Sequence, residues 1–336
     1  MKARSSSFVV AVVLSLPVLA WAQNSGSSDM HPVPMTPALK PSTSTSYKFI
    51  VAGDNRPAKA GDHQPKITQT ILSAAKADGV NFIVWTGDTI VGLDSADPTG
   101  IGTQYSEFFA LAATAGVPVF TAPGNHEMDV KVKGKDKDKD QLKEIGSEAM
   151  EKLYRHNMSL PDGAPIYGGF SYSNARFVLL NSEERPPANV VRSAPAVTDN
   201  KVNLDPGYVS QKQMDWLTKE LAADKATTHV FVFMHHPVMP KTTSMGLNAS
   251  NAAELMKMFG QYPNIDYVFA SHEHLYWNPQ SKDTSSPPDR KARSSPPIYL
   301  VSGGAGAPLD NRAFYNYLVV TVNGTSVQVE MKNLGN

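Results

Sequence analysis

Five runs of β-branched and aromatic residues each lead directly into side chains able to hold a cation. They are Ile50-Val51-Ala52, Val84-Trp85-Thr86, Phe120-Thr121-Ala122, Val232-Phe233-Met234 and Val268-Phe269-Ala270. The first two end in Gly53-Asp54 and Gly87-Asp88, the third in Pro123-Gly124-Asn125-His126-Glu127, and the last two in His235-His236 and Ser271-His272-Glu273-His274. Short apolar runs bounded by turn residues read as buried strands. In open α/β sheets the ligand crevice lies beyond the carboxyl ends of the strands, so these five ends are expected to converge.

The pattern around them agrees. Strands are expected at Lys48 to Ala52, Phe82 to Thr86, Val117 to Ala122, Phe177 to Leu180, His229 to Met234, Tyr267 to Ala270 and Ile298 to Val301. Stretches of helical period lie between them, at Lys66 to Ala77, Gln104 to Ala115, Gln141 to Arg155, Ser210 to Ala223 and Ala252 to Gln261. Alternation of this kind defines an α/β domain. Two final strands, Tyr317 to Val322 and Ser326 to Met331, are joined by Asn323-Gly324, a hairpin turn signal, so antiparallel sheet closes the chain. Lys131 to Asp140, Pro186 to Asp205 and Gln280 to Pro297 read as surface loops.

The N-terminus carries a separate message. Lys2 and Arg4 precede an apolar run from Phe8 to Ala20 and then the small-x-small triplet Ala20-Trp21-Ala22, the pattern of a signal peptide cleaved before Gln23. The run contains Ser15 and Pro17 and falls short of the ~20 residues that span a bilayer, so no membrane anchor is expected after cleavage. Residues 23–46, rich in Ser, Pro and Thr, read as a flexible linker, and 47–333 as one domain. The protein is therefore expected to be exported, to the periplasm or beyond. Basic and acidic residues number 31 each, which leaves no electrostatic footprint for nucleic acid. With no cysteine, a thiolate site and a cysteine nucleophile are both excluded, and any metal must be held by His, Asp, Glu or Asn.

Each motif alone has an ordinary explanation: Gly-Asp after a strand commonly caps a helix, and a His pair before proline is commonly a packed loop. Gly124-Asn125-His126-Glu127 is the most specific, because no common turn needs that order. Taken jointly and in this order, the motifs resemble those of the calcineurin-like metallophosphoesterases, which include purple acid phosphatases and cyclic-nucleotide phosphodiesterases. The resemblance runs from about Tyr47 to Met331 and extends to the helix with Gln213, Trp216, Leu217 and Leu221 and to the turn Ser302-Gly303-Gly304-Ala305-Gly306. It implies a two-sheet β-sandwich flanked by helices, with a two-metal centre at the strand ends. Asp54 and His274 would bind the first metal, Asp88 would bridge both, and Asn125, His235 and His272 would hold the second. His126, which is not a ligand in that family, would protonate the leaving oxygen as general acid. The implied substrate is a small phosphate monoester or diester, attacked by metal-bound hydroxide.

The chemistry of such a centre stands apart from the name. Two cations about 3.5 to 4 Å apart clamp a phosphoryl group and acidify water. The mixed oxygen and nitrogen donors suit Fe, Mn or Zn better than Ca or Mg.

One departure matters. The family's first motif reads Asp-x-His, whereas this chain has Asp54-Asn55-Arg56, and Arg cannot coordinate a cation. Purple acid phosphatases supply a Tyr three residues after the bridging Asp, but Val91 stands there. Arg56 is expected either to make bidentate contacts to phosphate oxygens or to pair with Asp54 or a surface acid. Because of that gap, a metal-binding protein that is catalytically weak or inactive is carried as the alternative to a hydrolase, and a nuclease is disfavoured by the neutral charge. Ser271 replaces a usual Gly, and His235 rather than His236 aligns with the ligand position.

Overall fold

The structure is a computed structural model that describes residues 29–92, 98–132, 142–144, 146–187, 206–294 and 296–336. The expected signal peptide, the first residues of the expected linker, and most of two expected loops, 133–140 and 188–205, lie outside the described residues.

In chain order the elements are β1 (Ser46–Ala52), α1 (Lys66–Ala77), β2 (Phe82–Trp85), α2 (Pro98–Ala113), β3 (Val119–Thr121) and the single turn α3 (Asn125–Met128). They continue with β4 (Val130–Val132), β5 (Leu142–Glu144), α4 (Glu148–Asn157), β6 (Gly168–Tyr172), β7 (Ala175–Leu179), α5 (Gln211–Ala223) and β8 (His229–Phe233). The last are α6 (Ala249–Phe259), β9 (Ile265–Ala270), β10 (Tyr276–Trp277), β11 (Arg290–Lys291), β12 (Ile298–Ser302), β13 (Tyr315–Asn323) and β14 (Ser326–Gly335).

Two six-stranded sheets result, ordered β11-β14-β13-β1-β2-β3 and β10-β12-β9-β8-β7-β6. Strands β1, β2 and β3 run parallel in the first sheet, and β7, β8, β9 and β12 run parallel in the second. Because all five motif-bearing strands are among these, their carboxyl ends can meet at one rim of the sandwich. The hairpin β13–β14 joins the first sheet antiparallel to β1, with Asn323 and Gly324 at its turn.

Period-two alternation sorts the side chains into three layers of core. On β1, Phe49 and Val51 face the other sheet, while Ile50 and Ala52 face α1 and α2 together with Ile71, Leu72 and Phe108. The outer face of the second sheet packs Val230 and Val232 against Leu217, Leu221 and Leu255 of α5 and α6. The inter-sheet layer is aromatic: Phe49 stacks on Phe82 at 5.2 Å between ring centroids and meets Phe177 edge-on at 5.2 Å. Truncating such a ring to Ala costs about 3–5 kcal/mol, so this layer fixes how the two sheets, and hence the two halves of the rim, sit on each other.

Several boundaries differ from the sequence expectation. Residues 29–46, expected within a flexible linker, lie against the body: Val33 is buried in the core, its N–H donates to Val119 O at 2.7 Å, and Met30 N donates to Gly169 O. One buried side chain and a few backbone bonds anchor a segment whose polar composition suggested none. The helix expected from Gln141 begins at Glu148, because residues 142–144 pair with 130–132 as a small hairpin that also claims the start of the expected 131–140 loop. Helix α2 starts earlier than expected, at Pro98, and β14 continues past the expected domain end to Gly335. Strand β6, with Gly168 and Gly169, had no clear signal, and Arg290–Lys291 forms an edge strand inside the expected 280–297 loop.

Candidate metal centre

Three of the strand-end turns hold a non-glycine residue in the left-handed region: Asp54 at φ 60°, Asp88 at φ 56° and His272 at φ 72°. That conformation is sterically costly, and residues held there concentrate at functional sites. Here the surrounding backbone enforces it. Asp54 N donates to Gly87 O, and Asn55 N and Arg56 N both donate to Asp88 O, which locks the first two turns together. His272 N donates to Asp54 Oδ2 at 2.8 Å, tying the second sheet to the first. Gly303 lets the chain pass over this point, since a Cβ there would lie 2.3 Å from Asp54 Oδ2.

All eight residues singled out from the sequence come together at this rim. Asp54, Asp88 and His274 present one donor atom each within 4.8 Å of one another. Asn125 Oδ1, His235 Nε2 and His272 Nδ1 are mutually 3.1 Å apart, and His235 Nε2 is 3.3 Å from Asp88 Oδ1. Donors placed about 2.1 Å around one centre have spacings of this size between them. Asp88 thus belongs to both groups. His235, not His236, occupies the donor set; His236 turns away to Glu183.

The imidazoles are oriented by carbonyls that no sequence motif could reveal. His235 Nδ1 donates to Thr86 O at 2.8 Å and His274 Nδ1 to Pro308 O at 2.6 Å, so in each ring the lone pair lies on Nε2, the atom facing the carboxylates. Burial holds His235 neutral by pushing its pKa down to about 4, and burial followed by the nearby Arg56 charge lowers that of His274. The Ser271 hydroxyl donates to Thr86 O at 2.6 Å and lies 3.1 Å from His235 Nδ1, so the residue in place of a glycine braces the same ring.

The carboxylates are under electrostatic tension. Asp54 is fully buried, its Oδ1 makes no hydrogen bond, and burial together with repulsion from Asp88 raises its pKa well above the ordinary carboxylate range. Burial likewise raises that of Asp88, opposed by Arg56. An unpaired buried carboxylate costs several kcal/mol unless a cation compensates it. A buried acceptor without a partner and an imidazole with its lone pair turned inward fit a metal ion at the Asp54–Asp88–His274 group, which has three such donors among the described residues, with the Asn125–His235–His272 donors beside it.

Glu127 completes the frame. Its buried carboxylate accepts from Asp88 N at 2.9 Å, Thr89 N at 2.6 Å and Gly124 N at 2.7 Å, clamping the second and third turns. His126 stands beside the donors: its Nδ1 donates to Val91 O, and its Nε2 is 3.7 Å from Asp88 Oδ2. Arg56 pairs with Asp88, at 3.9 Å from Nε to Oδ2, rather than with Asp54 or a surface acid, and that Nε makes no hydrogen bond.

With this geometry in hand, comparison with known proteins assigns the class. The chain belongs to the calcineurin-like phosphoesterase family, whose profile matches residues 27–276. Over 78 residues it is 32% identical to the 3',5'-cyclic adenosine monophosphate phosphodiesterase of Escherichia coli, a match covering 21% of this chain and only 28% of that protein. A purple acid phosphatase from yellow lupin (Lupinus luteus) seeds superposes with a TM-score of 0.60 at 15% identity, covering 88% of this chain and 53% of that one. A dimetal phosphatase from Danio rerio gives 0.58 at 15% identity, covering 85% and 96%. At such identities the structural likeness speaks for the fold, an α/β sandwich of two mixed sheets flanked by helices.

Proposed function

We propose that the protein is an exported metallophosphoesterase that hydrolyses small phosphate monoesters or diesters. The observation that carries this reading is the buried Asp54 Oδ1 without a hydrogen-bond partner, set among Asp88, His274 and the Asn125–His235–His272 donors. Asp54, Asp88 and His274 would hold one ion of Fe, Mn or Zn, and Asp88, Asn125, His235 and His272 the other. Two such ions, when bound, neutralise phosphoryl charge and acidify water.

The remaining roles belong to the chain. His126 has its Nδ1 proton committed to Val91 O, so the proton it can give comes from Nε2. Water supplies the new oxygen on phosphorus and releases a proton to solvent, the bond from phosphorus to the ester oxygen breaks, and that leaving oxygen takes the Nε2 proton of the His126 imidazolium, which solvent then restores. The Arg56 guanidinium, part-exposed beside Asp88 at the rim, would face phosphate oxygens and add positive charge at the transition state. The three-donor first group, with Arg56 where the family has a metal-binding His, favours the rival reading of a metal-binding protein with weak or no catalysis.

One assay separates the two. The protein loaded with Mn, Fe or Zn should turn over an aryl phosphate, a bis-aryl phosphodiester or both, and elemental analysis should return two ions per chain. Absence of turnover on both esters with every metal overturns the hydrolase. Export is tested by the mass of the mature chain, which should begin at Gln23.

A further inference from the structure

Against the His272 ring, and edge-on to His235 at 5.4 Å between ring centroids, lies a buried group that the roles above do not use. His236 is 2% exposed and Glu183 2% exposed. His236 Nδ1 donates to Glu183 Oε1 at 2.6 Å, the Ser182 hydroxyl donates to the same oxygen at 2.7 Å, and His236 N donates back to Ser182 Oγ at 2.9 Å. The His236 ring lies against the His272 ring at 3.8 Å between centroids and 34° between planes. Its other side is closed by backbone: a Cβ on Gly207 would be 2.5 Å from His236 Cγ. Gly207 cannot retreat, because Gly207 N donates to Gly246 O, Asn248 N donates to Gly207 O, and Tyr208 N donates to Ser182 O. The imidazole is thus held between a fixed strand of backbone and the ring of a donor.

Three features argue that this arrangement serves the site rather than the core. A buried carboxylate–imidazole pair is weak evidence for stability, since an apolar pair of equal volume does as well or better. Val209, Val238 and Leu247, each one or two residues along the chain from Gly207, His236 or Gly246, are buried in an apolar cluster. The Glu183 charge also reaches the donors, opposing the effect of burial on His235.

We propose that Glu183 and His236 are positioning residues for the second metal: the Glu183 carboxylate fixes the His236 ring, and that ring sets the plane of His272 so that its Nδ1 meets Asn125 Oδ1 and His235 Nε2. The inference rests on reading Asn125, His235 and His272 as metal donors. Hydrogen-bonded partners one layer behind a ligand typically change metal affinity by about 10–100-fold when removed. Here the influence passes through ring contact in place of a hydrogen bond to the ligand.

The experiment is calorimetric binding of Zn(II) to metal-stripped full-length protein. Glu183→Leu keeps the volume and deletes the acceptor; it should weaken the second ion's binding about 10–100-fold and leave the first ion unchanged. Glu183→Gln, which retains an acceptor oxygen, should stay within about threefold of the parent, a rescue that loss of general packing would not give. Circular dichroism establishes that each variant is folded, and if Glu183→Leu is not, His236→Ala is read in the same way. Unchanged affinities in a folded Glu183→Leu or His236→Ala overturn the proposal, as does a parent chain that binds a single Zn(II). A parent that binds two ions yet hydrolyses no ester overturns the proposed activity alone and leaves this comparison intact.

Discussion

The sandwich carries a buried His–Asp cluster at each end, and the two differ in one respect. At the end opposite the candidate site, His229 Nδ1 meets Asp266 Oδ2 at 2.5 Å, His229 Nε2 donates to Gly324 O at 2.9 Å, and Arg290 Nε reaches Asp266 Oδ1 at 3.3 Å. Every charge there has a counter-charge, and the cluster links β8 and β9 of one sheet to the hairpin turn and edge strand of the other. At the rim of motifs, Asp54 is just as buried but keeps an oxygen without a partner, and three residues sit in left-handed backbone. Burial of titratable groups is therefore common to a structural clamp and a candidate metal centre. Buried polar atoms without a partner occur at both ends, Asn174 Oδ1 and Tyr267 Oη at the closed one, so what separates them is that at the rim the unpartnered atom is a carboxylate oxygen set among other donors.

That contrast can be broken from either side. The largest effect is expected at the closed end: Asp266→Ala leaves the buried Arg290 guanidinium without its counter-charge and His229 Nδ1 without its partner, and should lower unfolding stability by about 3–5 kcal/mol in urea, with metal content per folded chain unchanged. At the open end, the proposed role of His126 as a proton donor that holds no metal predicts that His126→Ala reduces kcat on the aryl phosphate by about 10²- to 10⁴-fold while metal content stays at the parent value. Full activity in this variant would remove its assignment as general acid.

On the proposed reading, Arg56→His exchanges a phosphate contact for a metal donor. It should retain the first ion more strongly during dialysis against chelator and raise KM about tenfold, the loss of one charged hydrogen bond; an unchanged KM would assign Arg56 to its ion pair with Asp88 alone. The smallest effect carries the opposite sign from the first. In metal-stripped protein, Asp54→Asn should raise unfolding stability by about 1 kcal/mol, since it removes an uncompensated buried charge and keeps the acceptor for His272 N. A stability loss there comparable to Asp266→Ala would erase the distinction between the two ends.

The closed end was invisible as a cluster from sequence. His229, Asp266 and Arg290 read there as an ordinary strand residue, an unremarked acid and a loop base, because their partnership depends on how the hairpin turn docks across the inter-sheet layer. The open end was legible because each of its residues follows a strand whose own composition declares it. Even so, the orienting groups escaped: Thr86 O, Pro308 O and Val91 O are backbone atoms, which every residue supplies alike. Glu183 and His236 lie far apart in sequence and meet only where β7 and β8 pair in parallel.

What the sequence determined by itself is the order of the main strands and helices, β6 and the short pairs β4–β5, β10 and β11 apart, the family, and the set of side chains that gather at one rim, since strand propensity, alternation and turn chemistry are local properties of the chain. Tertiary structure alone decided that Arg56 pairs with Asp88, that His236 is turned onto Glu183, and which face of His272 is backed by another ring. Those outcomes depend on packing two sheets through a rigid aromatic layer, where shifts of an ångström determine which polar atoms are satisfied and which are left for a ligand.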